Sequence, residues 1–249
     1  MKTYRAELHI HTVLSPCAEV EMIPPLIIQQ ALEIGLDLLA ITDHNASANI
    51  PAVMEAAKGT NLVVLPGMEI QTREDVHNLC LFDTLDQIDE FQRWVDQSLP
   101  NLENHPDFFG EQFVVDSTGD YIRSETRLLA TAVNVSLDDT WKQVISLGGM
   151  MIPAHVNRKL YGLINSLGFV PPHIPFDALE LSRHLHPSQA VKSLPMLAGY
   201  SLIQNGDVHR LDEFLGALQL RLELPTISEI RKAFHNQDGR QFSILNVPN

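Results

Sequence analysis

His9 and His11 stand two residues apart in an apolar stretch, a spacing that on a β-strand turns both imidazoles to one side and makes a two-pronged metal arm. Asp207 and His209 repeat the spacing in Asn205-Gly-Asp-Val-His209. His44 follows Asp43 in Ile41-Thr-Asp-His-Asn45, Glu69 follows Pro66-Gly-Met, His77 sits in Val76-His-Asn-Leu, and His155 ends Ile152-Pro-Ala-His. Of the eleven histidines, these six lie at or just beyond the ends of expected strands, and in parallel α/β folds that rim is where sites are built. A lone histidine at a strand end is ordinarily a hydrogen-bonded structural residue, so the inference rests on the set. Imidazoles and carboxylates, each at the carboxyl end of a different strand, suit divalent zinc, manganese or iron.

The elements that must position these groups show in the hydrophobic pattern. Short runs rich in Val, Ile and Leu alternate with amphipathic stretches, which predicts strands over 5–10, 37–42, 62–65, 76–82, 150–154, 178–181 and 201–204. Helices are predicted over 24–34, about 50–57, 86–97, 137–147, after Pro187 and over 227–235. Residues 99–125 break the rhythm with two prolines, two glycines and a turn-like Asp116-Ser-Thr-Gly-Asp120, and read as either a lid or a disordered excursion. No internal repeat appears. The predicted architecture is one α/β barrel-like domain over 1–249 carrying one insertion.

Charge narrows the partners. Lys and Arg number 17 against 31 Asp and Glu, a net −14, which disfavours a grip on long nucleic acid or an anionic membrane, because both need a basic face. A small anionic substrate remains open if metal or local arginines reverse the sign inside one cleft. The two cysteines, Cys17 and Cys80, offer at most one disulfide, and no charged and then apolar leader opens the chain, so a cytoplasmic location is expected. No run of about 18 apolar residues suggests a membrane span.

Five segments together resemble a known family. Glu7-Leu-His-Ile-His-Thr12, Ile41-Thr-Asp-His-Asn45, Pro66-Gly-Met-Glu-Ile70, Pro153-Ala-His155 and Gly206-Asp-Val-His209 are similar, in this order, to the motifs of the PHP (polymerase and histidinol phosphatase) superfamily of metal-dependent phosphoesterases. The resemblance runs from about residue 5 to residue 214 and implies a distorted (β/α)7 barrel with a trinuclear centre on its carboxyl face. It implies that His9, His11, Glu69 and Asp207 hold a first metal, that Glu69 bridges to a second completed by His77 and His155, and that His44 and His209 serve a third. The family's remaining ligand, commonly His or Asp, falls on Cys17, which is either a soft thiolate ligand or a neutral thiol packed beside Pro16. Two or three divalent ions are therefore expected. Glu7, where the family usually has Asp, and Asp43 are candidates to hold an imidazole N–H from behind.

The chemistry implied is hydrolysis of a phosphoester by metal-activated water, with Glu69, Asp207 and His209 nearest the reacting atoms. The substrate phosphate needs a protein cation too, and the family often places one after the histidine matched here by His155, which makes Arg158 and Lys159 the first candidates. Arg183, Arg210 and Arg73 come next. A small phosphorylated metabolite or nucleotide is the expected substrate, with short oligonucleotides as an alternative. Other readings of the same residues are a catalytically silent metal-binding scaffold or regulatory protein and an amidohydrolase. His184 and His186 read as loop residues, and Phe108, Phe109 and Phe113 as packing for the insertion.

Overall fold

The paired prolines, the glycine stops and the apolar runs become elements close to where the pattern places them. The computed structural model describes residues 1–247. Strand β1 (Lys2–Ile10) leads to helix α1 (Pro24–Glu33), which starts on its two prolines, where a missing N–H leaves no bond unmade. There follow β2 (Leu38–Ile41), α2 (Ile50–Ala56), β3 (Val63–Gln71), β4 (His77–Leu81), α3 (Leu85–Asp96), α4 (Pro106–Phe109), β5 (Phe113–Val115) and β6 (Tyr121–Ser124). The second half runs α5 (Leu137–Ser146), β7 (Met150–Pro153), α6 (Leu163–Leu167), β8 (Leu179–Leu181), α7 (Pro187–Ser193), β9 (Leu202–Gln204), β10 (Leu218–Leu222), α8 (Ile227–Phe234) and β11 (Gln241–Ile244).

Seven strands form one curled sheet in the order β11-β10-β1-β2-β3-β4-β7, and β8 and β9 make a separate parallel pair. A few backbone hydrogen bonds carry the ring across the two gaps. Val156 N–H donates to the Glu180 carbonyl in β8 at 2.8 Å, Val208 N–H to the His9 carbonyl at 3.0 Å, and His11 N–H to the Val208 carbonyl at 2.9 Å. The result is an α/β half-barrel distorted from a regular one, as the sequence implies. Along β1 the pleat divides the residues: Ala6 and Leu8 pack with Leu38, Ala40, Leu65 and Ile152 in a buried cluster backed by α8, and Glu7 and His9 turn the opposite way.

Three features depart from the sequence pattern. Strand β3 does not stop at Leu65 but continues through Pro66-Gly67 to Gln71, because a Cβ at position 67 would come within 2.9 Å of the Ile41 carbonyl and of the Leu81 and Thr42 side chains, so only glycine lets the neighbours close in. Strand β4, which His77 begins as predicted, runs antiparallel to both β3 and β7, so not every ligand candidate sits at a carboxyl end. Strands β10 and β11 were not predicted at all, although the alternating Leu218, Leu220 and Leu222, all buried, carry the two-residue period of a strand packed on one face.

The 99–125 insertion is ordered. It contributes α4 and the β5–β6 hairpin, and its inner edge buries Gln112, Val114 and Val115. Phe113 N–H donates to the Val13 carbonyl at 2.8 Å, and Asn49 braces the hairpin on both sides, donating to the Phe113 carbonyl at 2.9 Å and accepting from Val115 N–H at 3.0 Å. These bonds seat it against the segment that follows His11. Among the described residues no helix is long and apolar enough to cross a membrane.

Candidate metal centre

The sheet brings eight of the predicted residues to one place. The end of β1 supplies His9 and His11, the turn after β2 supplies His44, β3 supplies Glu69, and the start of β4 supplies His77. His155 follows β7, and Asp207 and His209 follow β9. Glu69 is at the middle. Its Oε1 lies 3.0 Å from His77 Nδ1, 3.2 Å from His155 Nε2 and 3.3 Å from His9 Nε2, and its Oε2 lies 3.1 Å from His44 Nδ1 and 3.4 Å from His11 Nε2. Asp207 Oδ1 closes the group at 3.2 Å from His9 Nε2 and 3.6 Å from His11 Nε2. Three trios have donor atoms within 4.8 Å of one another: His9, His11 and Glu69; His44, Glu69 and His77; His11, His44 and His209.

The donor chemistry fits divalent metal. Among the described residues Glu69 Oε2, in the middle of the cluster, is buried without a hydrogen-bond partner, which is costly unless a cation takes it up. Electrostatics points the same way. Burial alone would lower the His9 and His11 imidazoles, yet carboxylates dominate: Glu180, Glu69 and Asp207 raise His9 well above its ordinary range, and Asp207 and Glu69 raise His11 to about 8. Burial and neighbouring imidazoles push His44 well below its ordinary range and His209 down to about 4. Burial would raise the Glu69 carboxyl, but His77, His9 and His44 hold it well below the usual carboxylate range. Carboxylates that raise two imidazoles against the effect of burial make a negative site that favours a cation.

Backbone strain concentrates here. His155 and Asp207 have φ of +31° and +53°, and Asn45, next to His44, has +48°. Non-glycine residues adopt this left-handed region at a cost on the order of 1 kcal/mol each and keep it only where the surroundings fix it. The turn bearing Asp207 is fixed by Glu7, whose carboxylate accepts from Gly206, Leu215 and Gly216 N–H at 2.8, 3.0 and 2.9 Å. Burial outweighs those three bonds and raises the Glu7 pKa to about 7. Asp43 accepts from Thr12 N–H and from the Thr12 and Ser15 hydroxyls, each at 2.7 Å, and burial raises its carboxyl as well. Among the described residues neither Glu7 nor Asp43 bonds an imidazole. Glu7 braces the Asp207 turn, and Asp43 reaches His11 through Ser15, whose hydroxyl is 2.9 Å from His11 Nδ1.

The carboxylate behind an imidazole is Glu180, which the sequence reading passed over. Both its oxygens face His9 Nδ1, at 3.1 and 3.0 Å, and it also accepts from Asn205 Nδ2 and His155 N–H at 2.9 Å. Its only sequence signal is a lone charge between Leu179 and Leu181 in an otherwise apolar strand.

A cavity of about 440 Å³ opens beside the centre, lined by Asp207, His209, Cys17, Arg158, Arg183, His184 and Arg210, among others. The Arg158 guanidinium contacts Asp207 Oδ2 and is half exposed. Arg183 is largely enclosed and stands 4.0 Å from Glu213, and Arg210 is held by Glu19 at 2.9 Å. Lys159 is exposed and does not line this cavity, and Arg73 lies 3.7 Å from Glu74, also away from it. Cys17 is exposed at the wall and belongs to none of the three trios; crowding by protein and the Glu69 and Asp207 charges push its thiol up to about 12. A second cavity of about 300 Å³ shares Arg183 and His184 and adds His186, Gln189 and Gln204, with no acidic residue in its lining among the described residues.

The profile of the PHP domain family matches residues 7–145. The chain is 23% identical over 273 residues to the uncharacterized protein YqxK of Bacillus subtilis, covering 97% of this chain and 64% of YqxK. It is 36% identical over 75 residues to the 5'-3' exoribonuclease Rnm of Salmonella typhimurium, covering 29% of this chain and 25% of Rnm. Its fold superposes on the lesion-specific endonuclease EndoQ of Pyrococcus furiosus with a TM-score of 0.71 at 21% identity, covering 97% of this chain and 58% of EndoQ. The chain thus spans about six-tenths of the length of YqxK and of EndoQ.

Proposed function

The chain belongs to the PHP domain family of metal-dependent phosphoesterases, and on that premise we propose that it hydrolyses a small phosphorylated metabolite or nucleotide at the centre around Glu69. The observation that carries this reading is one buried carboxylate with both oxygens ringed by imidazoles, His77, His155 and His9 on Oε1 and His44 and His11 on Oε2, an arrangement suited to joining two cations. Divalent ions bound there supply Lewis-acid charge and a water acidic enough to attack phosphorus near neutral pH. His9, His11, Glu69 and Asp207 would hold one ion, Glu69 with His77 and His155 a second, and His44 and His209 a third, for which Cys17 is the remaining candidate ligand.

The protein's own part is to orient and to bind. Glu180 fixes the ring of His9, and Glu7 holds the turn that presents Asp207 and His209 to the cavity. Arg158 lies over Asp207 at the cavity wall, where it can exchange that carboxylate for two phosphoryl oxygens. Arg183 and Arg210 extend the positive wall, and this local charge admits an anion to a chain of net −14. Arg158→Ala is expected to raise KM about 10- to 100-fold, the worth of a charge-assisted hydrogen bond, with a smaller change in kcat. Steady-state kinetics on the metal-loaded protein checks it, and an unchanged KM removes Arg158 from the phosphate site.

Cys17→Ser tests the third ion. A loss of about one equivalent of metal per chain is expected if the thiolate closes that site beside His209, and unchanged content makes Cys17 a wall residue.

A second reading, cleavage of short oligonucleotides, is favoured by the adjoining cavity, whose lining has no acid among the described residues and could take a neighbouring nucleotide, and by similarity to an exoribonuclease and to the fold of a lesion-specific endonuclease. A panel of phosphomonoesters and short oligonucleotides, offered to metal-loaded protein, separates the two. Turnover of neither class contradicts the hydrolase assignment.

A further inference from the structure

A metal-binding imidazole has to hold its ring plane, because the ligating lone pair lies in that plane and the last torsion of a histidine side chain is soft. In this centre Glu180 fixes His9, the Ser15 hydroxyl fixes His11, and the Asp207 carbonyl, 2.9 Å from Nδ1, fixes His209. His77 has no comparable brace. Its Nδ1 meets Glu69 at 3.0 Å, and its Nε2 is buried without a partner.

What lies on the His77 ring is Tyr161. The two rings are parallel to within 3°, with centroids 4.5 Å apart, and Tyr161 also accepts the His77 backbone N–H at 3.0 Å. The tyrosine is held there in an unusual state. Its φ is +60°, a left-handed conformation rare for an aromatic residue, and the residue is 41% exposed, so core burial does not account for it. The loop that carries it is tight enough that a Cβ at Gly162 would stand 2.3 Å from the Arg158 carbonyl. Strained backbone, an exposed ring and a parallel stack on a site imidazole converge on one task.

We propose that Tyr161 is a positioning residue that sets the ring plane of His77 for metal binding. This rests on the metal-centre reading above. Tyr161 makes no contact with substrate in this role; its stack does for His77 what a carboxylate does for His9. The aromatic face matters and the hydroxyl does not.

The test is Mn²⁺ titration of chelator-stripped full-length protein for wild type, Tyr161→Phe and Tyr161→Gly, with melting temperatures of the metal-free forms. Glycine adopts the left-handed backbone freely, so Tyr161→Gly is expected to melt near the wild-type temperature and yet to bind Mn²⁺ about 10- to 100-fold more weakly. Tyr161→Phe is expected to keep wild-type affinity. Tyr161→Asn, which also tolerates this backbone, supplies the same comparison should the glycine variant fail to fold. Equal affinity without the ring overturns the proposal, as does a Phe variant as weak as the Gly variant. If wild type binds Mn²⁺ and only these comparisons fail, the metal-centre reading stands; if wild type binds none of Mn²⁺, Zn²⁺ and Fe²⁺, both fall.

Discussion

Glu69→Gln is expected to lower phosphoester turnover about a thousandfold while leaving the fold intact. The substitution keeps the shape of the side chain and removes the charge that lies between two groups of imidazoles, His77, His155 and His9 on one oxygen and His44 and His11 on the other. A carboxylate can take a cation on each oxygen. An amide offers one weak oxygen ligand and turns an N–H₂ toward the remaining imidazoles and ion. Loss of one of two cations forfeits several kcal/mol of transition-state stabilisation, and each 1.4 kcal/mol is about tenfold in rate. The comparison needs kcat, metal content and melting temperature on the same preparations. Wild-type turnover with Gln at position 69 contradicts the bridging role.

Glu180→Gln should act from behind the centre. The carboxylate is buried and accepts from His9 Nδ1, Asn205 Nδ2 and His155 N–H, and all of these are donors. A glutamine amide must set its own N–H₂ against one of them, leaving a buried polar group unsatisfied at about 1–3 kcal/mol. It also loosens the His9 ring and removes the charge that favours binding through the opposite nitrogen. Metal affinity is expected to fall about 10- to 100-fold, with a lower melting temperature. Titration of the stripped protein with Mn²⁺ or Zn²⁺ checks this. An affinity equal to that of wild type would leave Glu180 a purely structural acid.

The contrast between these residues shows what a linear sequence reveals. His9 with His11, and Asp207 with His209, carry their geometry in a two-residue spacing, so their convergence on one rim was legible before any coordinate. Glu180 carries none, because its partner His9 lies 171 positions away and only closure of β8 toward β1 brings them together. Tyr161 is the same case. Its stack on His77 depends on a left-handed backbone at position 161, which nothing in the spacing of the residues around it signals.

The direction of β4 was hidden by one local signal. The strand predicted over 62–65 stops before Pro66-Gly67 and leaves room for a longer connection; with β3 extended to Gln71, only a short hairpin remains before His77, and a connection that short permits antiparallel pairing alone. Glu7 and Asp43 were placed near the centre by position, but their partners were not readable. Each braces backbone or hydroxyl groups that hold the motif loops.

The most direct measurement is metal content per chain, by inductively coupled plasma mass spectrometry, on protein purified without chelator and without a histidine tag. Two or three equivalents of zinc, manganese or iron are expected from the convergence of His9, His11, His44, Glu69, His77, His155, Asp207 and His209. Near-zero content that is not restored by adding those ions would contradict the central claim and leave a PHP fold without its chemistry.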